Sequence, residues 1–243
     1  MSNSRIHSTF NIDHSTLTDS GLRAMTDKPF MPGVFVTGGT GYIGQCLISE
    51  LIRRGHSVRA LVRNGSERKL PDGTIAVRGD ALDASTFANR VAPSDTFVQL
   101  VGVAHPSPAK KEEFRKIDFV SVRESVAAAR DAGVQHFVYL SVAHPAPIMR
   151  EYVAVREEGE AMIRSLNISA TFIRPWYVLG PGHFWPYFIL PLYWFWMLSP
   201  KSRDTARRLY PVKLARVIGA MADAIDHPPN GVRIIEAPEM RHA

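Results

Sequence analysis

The residues of this chain best suited to chemistry begin with the run Thr37-Gly38-Gly39-Thr40-Gly41-Tyr42-Ile43-Gly44, which ends an apolar stretch and opens a helical pattern. Glycines at 38, 41 and 44 permit a tight turn, a close approach of backbone to a pyrophosphate, and tight packing of helix on strand. The first helical amides then hold the negative charge, so the expected ligand is a dinucleotide. About 20 residues further on, an Asp or Glu would bind the ribose 2′-hydroxyl of NAD(H). The sequence there reads Ala60-Leu61-Val62-Arg63-Asn64. The guanidinium of Arg63, assisted by Arg59, suits a 2′-phosphate, which makes NADP(H) the expected cofactor and NAD(H) the alternative. Gly79-Asp80-Ala81 follows a third apolar stretch, where the Asp80 carboxylate suits the adenine amino group. The competing role for Asp80 or Asp83 is to cap the next helix. Gly102 closes a fourth stretch and lets the chain pass close to the cofactor.

These groups need a frame, and the apolar pattern supplies one. Strands are expected at Val34 to Thr37, Ser57 to Val62, Thr74 to Val77, Thr96 to Val101, His136 to Ser141, Ala170 to Ile173 and Val232 to Ile235. Between them lie helical patterns at Ile43 to Arg54, Ala84 to Val91, Lys111 to Ala132, Glu151 to Leu166 and Lys213 to His227. Such alternation signals repeated βαβ units, so the expected class is α/β, a Rossmann-type doubly wound parallel sheet.

The chain has 243 residues, 45% hydrophobic and 21% charged, enough for one domain with a sizeable core. That domain is assigned to residues 31–243, with 176–243 contributing the substrate or lid region. Residues 1–30 are rich in Ser, Thr, Asp and His without a period, and read as a disordered tail. They hold no apolar signal-peptide core, and Asp13, Asp19 and Asp27 speak against a mitochondrial presequence. Met25 and Met31 are candidate starts of the native chain. The expected location is cytoplasmic, with peripheral membrane attachment as the alternative. A single cysteine, Cys46, excludes a disulfide framework and a cysteine-rich zinc site, and is expected to be a buried structural thiol. The net charge of +6 is spread along the chain, and no nucleic-acid module accompanies it.

Together the glycine run, Arg63, Gly79-Asp80, Tyr139-Leu140-Ser141 and Arg174-Pro175 resemble the short-chain dehydrogenase/reductase superfamily. The likeness is to its atypical NAD(P)H-binding branch, which includes NmrA-like proteins and relatives of the accessory nucleotide-binding subunit of respiratory complex I. It runs from Gly33 to Pro181. Active members of that superfamily use a Tyr-x-x-x-Lys pair on the helix after the fifth strand, with a Ser at the strand's end. The resemblance therefore implies Tyr152 as general acid toward a carbonyl oxygen, Ser141 as hydrogen-bond donor to it, and Arg156 as ribose anchor where the family has Lys. A cation beside the phenol is expected to lower its pKa from near 10. Arg departs from Lys in reach and direction, which weighs on catalysis more than on binding. The alternative is that Tyr152 packs at a helix start, Ser141 ends a strand and Arg156 pairs with Glu160 one turn on, without chemistry.

His105 and His144 each sit in a V-A-H-P-x-P motif after a strand, at the sheet edge where doubly wound folds hold ligands. They are candidates for substrate contact, or with His183 for a metal, but the adjacent prolines fit plain strand ends and no metal is expected. The uncharged run from Phe184 to Leu198 contains three of the four tryptophans. Broken by Pro186 and Pro191, it is shorter than the roughly 20 residues that span a bilayer. It reads as a core or lid segment, or as a patch for a partner or a membrane interface. The second reading draws on Lys201, Arg203, Arg207, Arg208, Lys213 and Arg216, which come close behind it. An apolar pocket fits a lipophilic carbonyl or quinone better than a sugar nucleotide. The expected function is an NADP(H)-dependent reductase of an apolar carbonyl or quinone-like compound. The alternatives are a noncatalytic NADP(H)-binding sensor or assembly protein and, more weakly, an epimerase or dehydratase.

Overall fold

The computed structural model describes residues 33–181, 188, 190–200 and 202–242. The expected tail, His183 and the first residues of the aromatic run lie outside them. Nine strands are present among the described residues: β1 (Val34–Thr37), β2 (Val58–Val62), β3 (Ile75–Arg78), β4 (Thr96–Gln99), β5 (His136–Leu140), β6 (Ser169–Arg174), β7 (Val178–Leu179), β8 (Val212–Lys213) and β9 (Val232–Glu236). Seven of them form one parallel sheet in the order β3-β2-β1-β4-β5-β6-β9, and β7 pairs with β8 apart from it. β1 and β4 are buried along their whole length, as strands covered on both faces must be.

Between β1 and β4 the strand order reverses, and the crossovers leave in opposite directions. A crevice opens there at the carboxyl ends. Helix α1 (Tyr42–Arg53) follows β1. Helix α2 is continuous through Lys111–Glu113, a π-helical turn Phe114–Phe119 and Val120–Asp131. Then come α3 (Arg150–Arg164), α4 (Leu190–Leu198), α5 (Arg203–Arg208), α6 (Leu214–Asp226) and α7 (Ala237–His242).

Alternation along the strands divides the core in two. Val34, Val36, Val98 and Val138 face Leu47, Ile48 and Leu51 of α1 and Val217 and Met221 of α6. Phe35, Phe97, Phe137 and Phe172 point to the other face, against Val122 of α2 and Ile163 of α3. The sheet is thus doubly wound, as the pattern implies.

Three expectations change. The fourth strand stops at Gln99 rather than Val101, because Val101 N turns to Gln99 Oε1 at 3.1 Å and the chain crosses toward the glycine loop. The helix expected over Ala84 to Val91 is two short 3-10 turns, Ala84–Thr86 and Ala88–Arg90. Cys46 is exposed, not buried. In α1 the buried face carries Gly44, Leu47, Ile48 and Leu51. At about 100° per residue, position 46 lies nearly opposite 44 and 48. No helix among the described residues is long and apolar enough to cross a membrane.

Candidate functional site

The loop from β1 into α1 is shaped by its glycines. Gly38 has φ +76, and a Cβ there would stand 2.9 Å from the Leu100 carbonyl carbon. At Gly44 a Cβ would collide with Gly38 O, so the start of α1 packs directly on the loop. Gly41 is the N-cap residue in an extended conformation, with its N–H donating to Gly38 O at 3.0 Å. Among the described residues no side chain caps the helix, and its first turn carries no acid, so its amides remain suited to an anion.

Two cavities meet over this loop, both lined by Gly38, Gly41, Leu100, Gly102 and Ala104. The first, about 490 Å³, runs to the ends of β2 and β3, where Arg63, Ser66, Asp80 and Ala81 line it. The exposed Arg63 guanidinium has no carboxylate partner among the described residues. Arg59 does not assist it: further back in β2, its Nη1 donates to Arg90 O at 3.2 Å. Asp83 caps the next turn by accepting from Ser85 N at 3.0 Å. Asp80 stays at the cavity, with Oδ1 accepting from Leu82 N at 3.0 Å. The second cavity, about 560 Å³, lies toward β5 and is walled by Tyr42, Ile43, Gly44, His105, Leu140, Trp176, Tyr177 and Val178. Sequence reasoning named the loop residues of this wall and His105 individually, covered Trp176, Tyr177 and Val178 only as the start of the 176–243 substrate or lid region, and gave Leu140 no site role. The signal available for the aromatic pair was its position directly after Arg174-Pro175 at a strand end.

Ser141, Tyr152 and Arg156 line neither cavity. Arg156 lies directly behind Gly102, where a Cβ would collide with its Nη2. Its Nη2 donates to Asp118 Oδ1 at 2.5 Å and its Nη1 to Leu140 O at 2.8 Å. Asp118 Oδ2 also accepts from Val103 N at 2.9 Å, so one buried carboxylate ties α3 to the loop after β4. Arg156 therefore pairs with Asp118, not with Glu160. Burial pushes the Asp118 carboxyl up against the opposing pull of Arg156. Burial also works against the Arg156 charge, but Tyr152, Tyr139 and Asp118 together hold the guanidinium protonated.

Tyr152 packs within this cluster, its ring tilted on that of Phe114 at 5.0 Å and 5.2 Å from the Arg156 guanidinium carbon. The i,i+4 spacing thus brings Tyr152 and Arg156 together. The expected lowering of the phenol pKa is reversed: burial raises it, and the Arg156 cation offsets only part of that rise. Ser141 Oγ donates to Glu160 Oε1 at 2.7 Å. Glu160 also takes Arg174 Nε at 2.9 Å and Nη2 at 2.5 Å. Despite burial, hydrogen bonds from His144, Arg174 and Ser141 hold the Glu160 carboxyl down at about 2.

The two repeated motifs separate. His105, in the left-handed region at φ +50, lines the second cavity, whereas His144 Nδ1 lies 2.9 Å from Glu157 Oε1 and its Nε2 lies 3.3 Å from Glu160 Oε1. Among the described residues no group of three or more His, Cys, Asp or Glu is placed to hold a metal.

The NAD(P)H-binding family model matches residues 38–180. A 4-hydroxy-2-methyl-3-oxo-4-farnesyl-3,4-dihydroquinoline-1-oxide ketoreductase from Stigmatella aurantiaca is 28% identical over 168 residues, 60% of this chain and 50% of that protein. A ceramide reductase from Caulobacter vibrioides is 28% identical over 151 residues, 61% of this chain and 47% of that protein. This chain therefore spans about half the length of these curated relatives. In fold it is similar to the Bordetella bronchiseptica enzyme WbmH solved in complex with NAD+, with TM-score 0.64 and 20% identity over 85% of this chain and 76% of that one. The matched glycine loop, the strand order and the crevice between β1 and β4 agree: the chain belongs to the NAD(P)H-binding family, as an atypical member of the short-chain dehydrogenase/reductase superfamily.

Proposed function

We propose that this protein uses NADPH to reduce an apolar carbonyl or quinone-like compound. The observation that carries the reading is the pair of joined cavities. One end offers Arg63 for a 2′-phosphate, the middle offers the uncapped amides of α1 for the pyrophosphate, and the far end is walled by Trp176, Tyr177 and Leu140. Dinucleotide and substrate would meet over Gly102. When bound, the cofactor supplies hydride; the chain orients it, excludes water with the aromatic wall and supplies a proton. Two curated relatives are named for reduction of molecules with a farnesyl group or a ceramide body, which supports a lipophilic substrate. In this reading Tyr152, which packs beside Arg156 and lines neither cavity here, turns toward the bound substrate to act as the acid, and Arg156 orients it.

Titration of the purified protein with NADPH and NADH tests the cofactor. Arg63→Ala is expected to weaken NADPH binding roughly 10- to 100-fold, the value of a charge-assisted pair, and to leave NADH binding nearly unchanged. Equal losses for both would remove Arg63 from the 2′-phosphate.

A second reading, a noncatalytic NADP(H)-binding sensor or assembly protein, is favoured by the engagement of Ser141 with Glu160 and of Arg156 with Asp118. Tyr152→Phe separates the two. For the enzyme, turnover of an apolar ketone falls by about 10²-fold or more, the usual contribution of a positioned acid, while NADPH affinity holds. Equal turnover in the variant removes Tyr152 from the reaction.

A further inference from the structure

Among the described residues, helix α4 is anchored by one side only. Tyr193 is buried, and with Trp196 and Met197 it packs on Ala143, Ala206, Leu209 and Tyr210. Its other side presents Leu192, Trp194, Phe195 and Leu198, each 60–65% exposed, and Phe188 just before it is 85% exposed. No charged side chain interrupts this face. An exposed, contiguous apolar face of this kind is rare on a surface that meets only water.

The basic segment after the helix selects the occupant. Arg203 closes the carboxyl end of α4, its Nε donating to Met197 O at 3.1 Å, and Arg207 lies one turn further along α5. Both are exposed, and among the described residues neither has a carboxylate partner. From residue 188 to 216 the sequence carries six Lys or Arg and one acid, Asp204. Two copies of the chain meeting symmetrically on this face would bring like cations together with little to answer them. Anionic lipid answers them, while Trp and Phe favour the depth of the headgroup boundary.

The same anchor reaches the cleft. Trp176 packs in the cluster that holds α4 and also walls the second cavity. We propose that the outer face of α4, with Arg203 and Arg207, docks the protein on an anionic bilayer surface, and that its substrate is a lipid drawn from that bilayer into the cavity beside Trp176. The substrate half of this proposal rests on the reductase reading; the docking half stands without it.

The test uses the full chain, with co-sedimentation on vesicles of phosphatidylcholine alone and of phosphatidylcholine mixed equally with phosphatidylglycerol. Binding is expected on the anionic vesicles and to weaken as salt is raised. Neutralising both cations, Arg203→Gln with Arg207→Gln, is expected to weaken it roughly 30-fold. Trp194→Ser with Phe195→Ser should abolish it while NADPH titration stays unchanged, which also verifies that the variant folds. With a short, water-soluble ketone the aromatic variant should keep the parent's kcat/KM; with a long-chain ketone dissolved in the vesicles it should lose at least tenfold. Absence of binding to anionic vesicles overturns the proposal. So does binding indifferent to Trp194 and Phe195, or a dimer in solution that the aromatic variant dissociates without any vesicle binding. Docking that persists with no ketone turned over retains the membrane surface and removes the reductase reading with its lipid substrate.

Discussion

Arg156 shows how much a single side chain depends on its surroundings. It stands where the superfamily has lysine, yet it is only 4% exposed and answers Asp118, which is 1% exposed. A guanidinium can serve Asp118, Leu140 O and two tyrosine rings at once, because it is a flat fork with donors on several edges. A point-like ammonium could not span these partners. Removing one half of such a pair leaves the other buried and unanswered, so Asp118→Ala is expected to cost about 3–5 kcal/mol of folding stability. Urea unfolding checks it, and a midpoint within error of the parent would show that Asp118 does not neutralise Arg156. Ser141 is likewise held by Glu160, a carboxylate that also engages His144 and Arg174.

At the scale of elements, the glycine loop and α1 form one unit. Gly44 is needed because its neighbour is the backbone of Gly38 and Gly39, which cannot move aside as a side-chain tip could. Gly44→Ala is expected to destabilise the fold by about 1–3 kcal/mol through overpacking and to abolish dinucleotide binding, read by calorimetry. Gly219 in α6 is the opposite case: a Cβ there meets nothing within 4 Å. Gly219→Ala should therefore raise stability by about 0.5–1 kcal/mol, the ordinary helical preference for alanine. A fall in stability at position 219 would show that the α6 surface is not open there. The π-helical turn Phe114–Phe119 in α2 carries both Phe114 and Asp118 inward, toward Tyr152 and Arg156. Local π geometry thus sets the environment of the candidate acid.

Across the whole molecule, buried titratable groups make stability depend on pH. Burial holds His136 neutral, with its pKa lowered to about 4 from 6.5. In acid the unfolded chain binds a proton there before the folded one does. This contribution is therefore complete above pH 6.5 and is lost as the pH falls toward 4. Glu160, at about 2 against 4.5, contributes stability that is complete above pH 4.5 and lost as the pH falls toward 2. Each amounts to about 3 kcal/mol. Unfolding midpoints should decline in two acid limbs, and His136→Gln should flatten the first. An unchanged decline between pH 6.5 and 4 in that variant would exclude His136 as its cause.

The fold and the dinucleotide loop were legible in the sequence because both rest on short-range rules. Short apolar runs alternating with helical apolar spacing mark βαβ units, and Gly38, Gly41 and Gly44 answer steric demands within one short loop. Arg63 is placed by the end of β2, which the apolar run marks. What the tertiary structure alone decided are partnerships across crossovers. Asp118 and Arg156 are 38 positions apart, and Trp176 joins an aromatic anchor to a cavity built from other strands. Identical V-A-H-P-x-P motifs met different fates, with His105 at the cleft and His144 against Glu157 and Glu160. Spacing specifies which face of an element a residue occupies; which group lies opposite that face, and whether water reaches it, is set only when the sheet and helices close on one another.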